Sequence, residues 1–139
     1  MSLPAPSSYL TQVFSIHRFA ALGTAIPSIL APTVLRVGQS TKATTEALFL
    51  TQLWGAFVLG VSGIAHVSTK FMEKDQVEVA KAFTVLFGVS TVVAVRGSFH
   101  ATDAAAARVL SGVAALFFGL FSAYGYGVYL GSQDKGKKL

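Results

Sequence analysis

The chain is predicted to be an all-α integral membrane protein, a four-span antiparallel transmembrane helix bundle. Three observations predict it. Four apolar stretches, residues 19–35, 47–67, 82–95 and 109–130, fill most of the 139 residues. The composition is 53% hydrophobic and only 12% charged, where a soluble domain carries about 25% charged residues. No stretch shows the polar stripe that a helix on a soluble core turns to water; residues 47–67 hold Thr51, Gln52, Ser62 and His66 but no full charge. In lipid every backbone N–H and C=O must be paired inside the protein, and a helix does this within itself. The length admits one domain, residues 1–139. Its spans are predicted at about 10–35, 45–67, 77–96 and 104–130, with a polar tail at 131–139.

The first span opens after Pro4 and Pro6, which keep the leading residues out of a helix, and Ser7 or Ser8 is the predicted cap. Residues 9–16 are moderately apolar, and they either lie in the interface or extend the span downwards. The helix continues to about Leu35. Pro27 and Pro32 remove backbone donors, so a kink is expected there, with Thr24 and Ser28 positioned to satisfy the freed groups.

A polar connection, 36–45, holds Gly38, Gln39 and Ser40. The second span begins near 44–46 and ends near Val67. Lys70, Glu73, Lys74 and Asp75 follow in the next connection. Asp75 and Glu78 have capping-box spacing, which predicts the start of the third helix. Its apolar centre is only 14 residues long, about 21 Å of helix. It spans only if its flanks contribute, with Lys81 and Arg96 snorkelling outwards. Residues 97–103 turn the chain, Thr102 or Asp103 caps the fourth helix, and Gly131 ends it.

Short connections make neighbouring spans antiparallel, and an even number of spans puts both termini on one side. That side carries Arg18, Lys70, Lys74, Lys81, Lys135, Lys137 and Lys138, and the other carries Arg36, Lys42, Arg96 and Arg108. The positive-inside rule places the termini on the cytoplasmic side or its organellar equivalent. The net charge of +5 is therefore topological. No basic face alternates with aromatics, so nucleic acid is not an expected partner. Without cysteine there is no disulfide, thiolate metal site or cysteine nucleophile. Residues 1–12 have no Lys or Arg, so neither a secretory n-region nor an Arg-rich transit peptide is read there.

The sharpest pattern is Ser111, Ala115, Gly119, Ala123, Gly127 and Gly131, small residues at every fourth position. Such a stripe lets another helix approach closely, because lipid supplies no hydrophobic force between helices. It serves packing within the chain, docking of a partner subunit, or both, since a four-residue repeat drifts about 40° per step. Shorter versions are Ala20, Thr24 and Ser28, and Ala56, Gly60 and Gly63. Phe117, Phe118 and Phe121 fall at mid-depth, and Tyr124, Tyr126 and Tyr129 fall where an aromatic belt lies. Trp54 sits deeper, and its indole N–H needs a partner; stacking on a quinone or pigment is one role open to it.

His17 and His66 fall near one membrane face in antiparallel helices. They are either ordinary interfacial histidines or an axial pair for haem b, with Arg18 as the propionate cation and Ala20 and Gly63 as small neighbours. His100 falls on the opposite face. No ionisable residue is expected at mid-depth; Glu46, Lys81, Arg96 and Arg108 all fall at ends. That argues against an ion path, which such residues usually mark. Paired carboxylates, a Ser/His/Asp set, a P-loop and an HExxH motif are missing, so catalysis is not expected.

The expected function is an accessory, structural subunit of a larger membrane complex, with other membrane subunits and structural lipid as partners and no cofactor. A mitochondrial inner-membrane respiratory or ATP-synthase assembly is the first guess, and a photosynthetic complex the next. Two alternatives stand beside it. One is a haem- or quinone-associated redox protein using His17 and His66. The other is a small carrier around a polar cavity near Thr24, Ser28 and Gln52.

Overall fold

A computed structural model describes residues 5–32, 45–101 and 104–136. It contains four helices, α1 (Pro6–Leu30), α2 (Thr45–Ser68), α3 (Glu73–Phe99) and α4 (Ala104–Gly136), and no strand among the described residues. By length and composition all four can cross a bilayer, over Ser7–Leu30, Leu48–Ser68, Glu73–Phe99 and Ala106–Gln133. The protein is an integral membrane helix bundle.

α1 starts earlier and stops sooner than its sequence suggests. Pro6 opens the helix rather than preceding it, because a first-turn proline lacks only an N–H that would be unpaired anyway. The extended Ala5 carbonyl accepts from the Tyr9 N–H at 3.2 Å and from the Ser8 hydroxyl at 2.8 Å. Ser8 therefore caps no N–H. Residues 9–16 belong to the span itself. At the other end Ala31 leaves the helix (φ −136°, ψ 62°) while its N–H still donates to the Pro27 carbonyl at 2.8 Å. A residue preceding proline is disfavoured in the helical region, so Pro32 stops α1 and does not kink it. Only Pro27 lies inside the helix. Beside it the Thr24 hydroxyl donates to the Ala21 carbonyl at 3.0 Å and the Ser28 hydroxyl to the Thr24 carbonyl at 2.7 Å. The expected segment 33–35, the connection 36–44 with Arg36 and Lys42, and the caps Thr102 and Asp103 lie outside the described residues, as do Pro4, Lys137 and Lys138.

α2 ends at Ser68, and the N–H groups of Thr69, Lys70 and Phe71 close over the carbonyls of His66, Val67 and Ser68. α3 is capped by Met72, whose carbonyl accepts from the Asp75 and Gln76 N–H groups at 3.0 Å each. The capping box does not form. Asp75 instead sits in the first turn, where its charge favours the helix dipole, and Glu78 pairs with Lys81 at 2.8 Å on the surface. The 27 residues of α3 reach about 40 Å, so the flanks do extend the short apolar centre. α4 runs through Gly131 to Gly136. Gly131 does not break it, because that glycine is pressed against Val77.

Side-chain contacts set the helix directions. The Gln52 amide donates to the Ile29 carbonyl at 3.3 Å, and the Ser62 hydroxyl to the Arg18 carbonyl at 3.1 Å, so α1 and α2 are antiparallel. Thr84 faces Gly125, Gly88 faces Phe121 and Leu110 faces Gly97, which makes α3 and α4 antiparallel. Tyr9 donates to the Ala123 carbonyl at 3.2 Å, and Gln76 to the Thr11 hydroxyl at 3.1 Å. The first turns of α1 and α3 and the last turns of α4 thus share one end. The bundle is two hairpins, α1–α2 and α3–α4, held together chiefly through α1, while α2 meets α3 only slightly.

Candidate functional site

The buried face of α1 carries Leu10, Val13, Phe14, His17, Ala21, Ala25 and Ser28. Steps of three and four residues keep them on one side of the helix. His17 therefore points between the hairpins, and Arg18, one residue on, turns towards α2. Because α1 begins at Pro6, His17 lies about 17 Å along it, well inside the span and not near its end. The same holds for Arg18, at the middle of the Ser7–Leu30 span, which corrects the expectation that no ionisable residue lies at mid-depth.

His17 is 3% exposed, and its Nδ1 shares a 2.7 Å hydrogen bond with the hydroxyl of the fully buried Tyr124. The rings of Phe83, Phe87 and Tyr124 stand edge-on around it, with centroids at 5.4, 5.1 and 5.7 Å. Phe87 and Tyr124 are stacked within 6° of parallel. Tyr124 is thus a core residue and not part of an aromatic belt, whereas Tyr126 and Tyr129 do face outwards. The signal for this was present: Phe117, Leu120, Tyr124, Gly127 and Gly131 follow the three–four spacing of one inward face.

Next to this cluster the hairpins part around a cavity of about 160 Å³. His17 and Thr24 line it from α1, Trp54 and Val58 from α2, Ser90 from α3 and Phe117 from α4. The walls are nearly all apolar. Trp54 leans on Phe57 and Phe117 at 5.9 and 6.3 Å between centroids. His17, its Nδ1 engaged by Tyr124, is among the few polar residues lining the cavity. Among the described residues, Thr24, Ser28 and Gln52 do not come together around one polar cavity. Thr24 alone of the three lines the space; Ser28 is packed against the Gly55 position and Gln52 is bonded to Ile29.

His66 is elsewhere. Its Nδ1 accepts a hydrogen bond from the Arg18 guanidinium, which has only donors, so the ring proton sits on Nε2. The two histidines line different cavities, and the structure does not bring them together as an axial pair. The Arg18 guanidinium carbon lies 4.4 Å from the Phe19 ring centroid. Leu22, Leu59, Ser62 and Gly63 complete an open groove around it between α1 and α2. Among the described residues, no three acidic or histidine side chains group as metal ligands.

The α4 stripe divides in two. A Cβ at Gly131 would stand 2.7 Å from Val77, and one at Gly127 would run into Leu10. Ala123, half-buried, gives its carbonyl to Tyr9. Ser111, Ala115 and Gly119 are exposed, and a Cβ at Gly119 or at neighbouring Gly112 would meet nothing within 4 Å. The drift of a four-residue repeat carries the stripe from the outer surface into the core. In α2 the close approach is made by Gly55, where a Cβ would lie 2.8 Å from that of Ser28; Gly60 and Gly63 are open.

No protein-family model matches this chain, and neither a curated protein nor a solved structure does.

Proposed function

We propose that the chain is a non-catalytic accessory subunit of a larger membrane assembly, docking on a partner helix through the outer face of α4. The open half of the stripe carries this reading. Ser111, Ala115 and Gly119 lie on the outer surface, with nothing within 4 Å of a Cβ at Gly119. In lipid, small residues on an outward face are what a second helix approaches. The inner half, where Gly127 and Gly131 already pack this way, supports the same use of the outer half. A mitochondrial inner-membrane respiratory or ATP-synthase assembly is the first host to test and a photosynthetic complex the second. The distribution of Lys and Arg favours both termini on the positive-inside face.

Native mass spectrometry of the protein released from its own membrane in mild detergent tests this. A large assembly with defined partner masses, weakened by Gly119→Leu, is the expected result. A lone 14.6 kDa chain, or a homo-oligomer, overturns it.

The cavity beside His17 favours a second reading, a membrane protein that holds an apolar molecule with one polar group, such as a quinone. A mostly apolar pocket with few polar groups is the usual form of a small-molecule site. Two imidazoles in separate cavities favour such a guest over haem b. Organic extraction of the purified protein should then release one molecule per chain, and His17→Leu should abolish it. Protein that yields only bulk lipid removes this reading.

A further inference from the structure

The groove between α1 and α2 holds a cation, Arg18, that, among the described residues, has no carboxylate against it. Its partners are the His66 Nδ1 and the face of Phe19, and its Nε is buried with no hydrogen-bond partner. A charge within a membrane span is costly and is normally paired or functional. What remains unsatisfied here is a donor, the buried Nε–H of Arg18, and beside it exposed His66 presents a second donor at Nε2. A ligand that completes the site must bring acceptor oxygens and negative charge.

The surroundings specify the rest of it. Side chains tilt towards the N-terminal end of their helix, so Arg18 reaches towards the end of the bundle where α1 begins. α2 stops at Ser68, two residues beyond His66, so the pair sits at the last turn of α2. Exposed Lys70 lies just past it. On the other side of the pair, the groove continues between Leu22 and Leu59, and Gly63 leaves it open. A cation with paired donors at one end and an apolar channel at the other fits a headgroup phosphate and one acyl chain. We infer that Arg18 and His66 bind the phosphodiester of one anionic phospholipid, from the leaflet at the end of the bundle where α1 begins, with its acyl chain along Leu22 and Leu59.

The test uses the full chain in phosphatidylcholine vesicles containing phosphatidylglycerol, with native mass spectrometry of lipid retained after mild detergent. A parallel set of vesicles contains oleate, which offers a carboxylate and no phosphate. One phosphatidylglycerol per chain should be retained over phosphatidylcholine by about fivefold, the worth of one cation near anionic lipid. Arg18→Gln should reduce that preference to none, and Arg18→Lys should keep part of it. Gly63→Leu keeps both polar residues and narrows the groove, and a Cβ there meets nothing within 4 Å; it should also lower retention, with circular dichroism of the variant matching the parent. Val85→Leu, on the exposed side of α3, should change nothing. Equal retention of the two phospholipids, an unchanged preference in Arg18→Gln and Gly63→Leu, or oleate held in place of phospholipid would each overturn the inference.

Discussion

The Nδ1 of His17 and the hydroxyl of Tyr124 meet 2.7 Å apart across the α1–α4 interface, 107 residues apart in the sequence. This bond crosses between the two hairpins and is enclosed by Phe83 and Phe87. A buried polar group is inexpensive while its partner is present and costly once the partner is removed.

Tyr124→Phe should therefore destabilise the protein by about 1–3 kcal/mol, the penalty of leaving a buried imidazole nitrogen unpaired. Unfolding in detergent, followed by circular dichroism, measures it. Combining Tyr124→Phe with His17→Leu should recover part of the loss. If the single variant unfolds like the parent, the bond contributes nothing.

Gly127→Leu and Gly119→Leu should separate the two halves of the stripe. Leucine at 127 must displace Leu10, which should cost about 1–3 kcal/mol by overpacking. Leucine at 119 meets open space, so the isolated chain should change by less than about 0.5 kcal/mol while assembly with the partner weakens. Equal melting of the two variants would contradict the division.

Ser90→Leu directs an apolar side chain at the wall of the 160 Å³ cavity. If the cavity holds no guest, the variant should gain up to about 1 kcal/mol, as cavity-filling changes do. If the cavity holds a quinone-like molecule, extraction of the variant should recover less of it. An unchanged yield of such a molecule would place the guest elsewhere.

The chain has no cysteine, so single introduced thiols report the topology directly. Ser8→Cys and Ser132→Cys should both react with a membrane-impermeant maleimide from one face of oriented vesicles, and His100→Cys from the other. Reaction of all three from a single face would sink the four-span arrangement.

The four spans were legible because charge is nearly missing from four long runs, a signal that tertiary contacts do not alter. Their ends were harder to read, because proline and glycine have two uses each. Pro6 starts a helix and Pro32 stops one; Gly131 reads as a terminator yet is a packing contact under Val77. Reading α1 as starting too late also put His17 and Arg18 near a surface, which concealed that both lie within a span. The stripe on α4 was visible in full, but its division was not, since only the bundle shows at which step Leu10 and Val77 begin to cover it. The inward face of Tyr124 was legible in the spacing of Phe117, Leu120, Gly127 and Gly131, although its neighbours Tyr126 and Tyr129 face outwards. Its pairing with His17 depends on which faces of α1 and α4 meet, and local spacing does not determine that.

The way the hairpins meet has a mechanical consequence. They are clamped where His17 and Tyr124 are enclosed by phenylalanines, and beyond that point α2 hardly touches α3. Such an arrangement leaves the gap beside Trp54 to fix how far α2 stands from α3. A molecule wedged beside Trp54 would alter the spacing of α2 from α3 and α4, and hence the contour that α4 offers a neighbour. By linkage the reverse also holds, and a neighbour gripping these helices would tighten or release the wedge. Spin labels at Phe49 and Val92, both exposed, would report that separation as a distance.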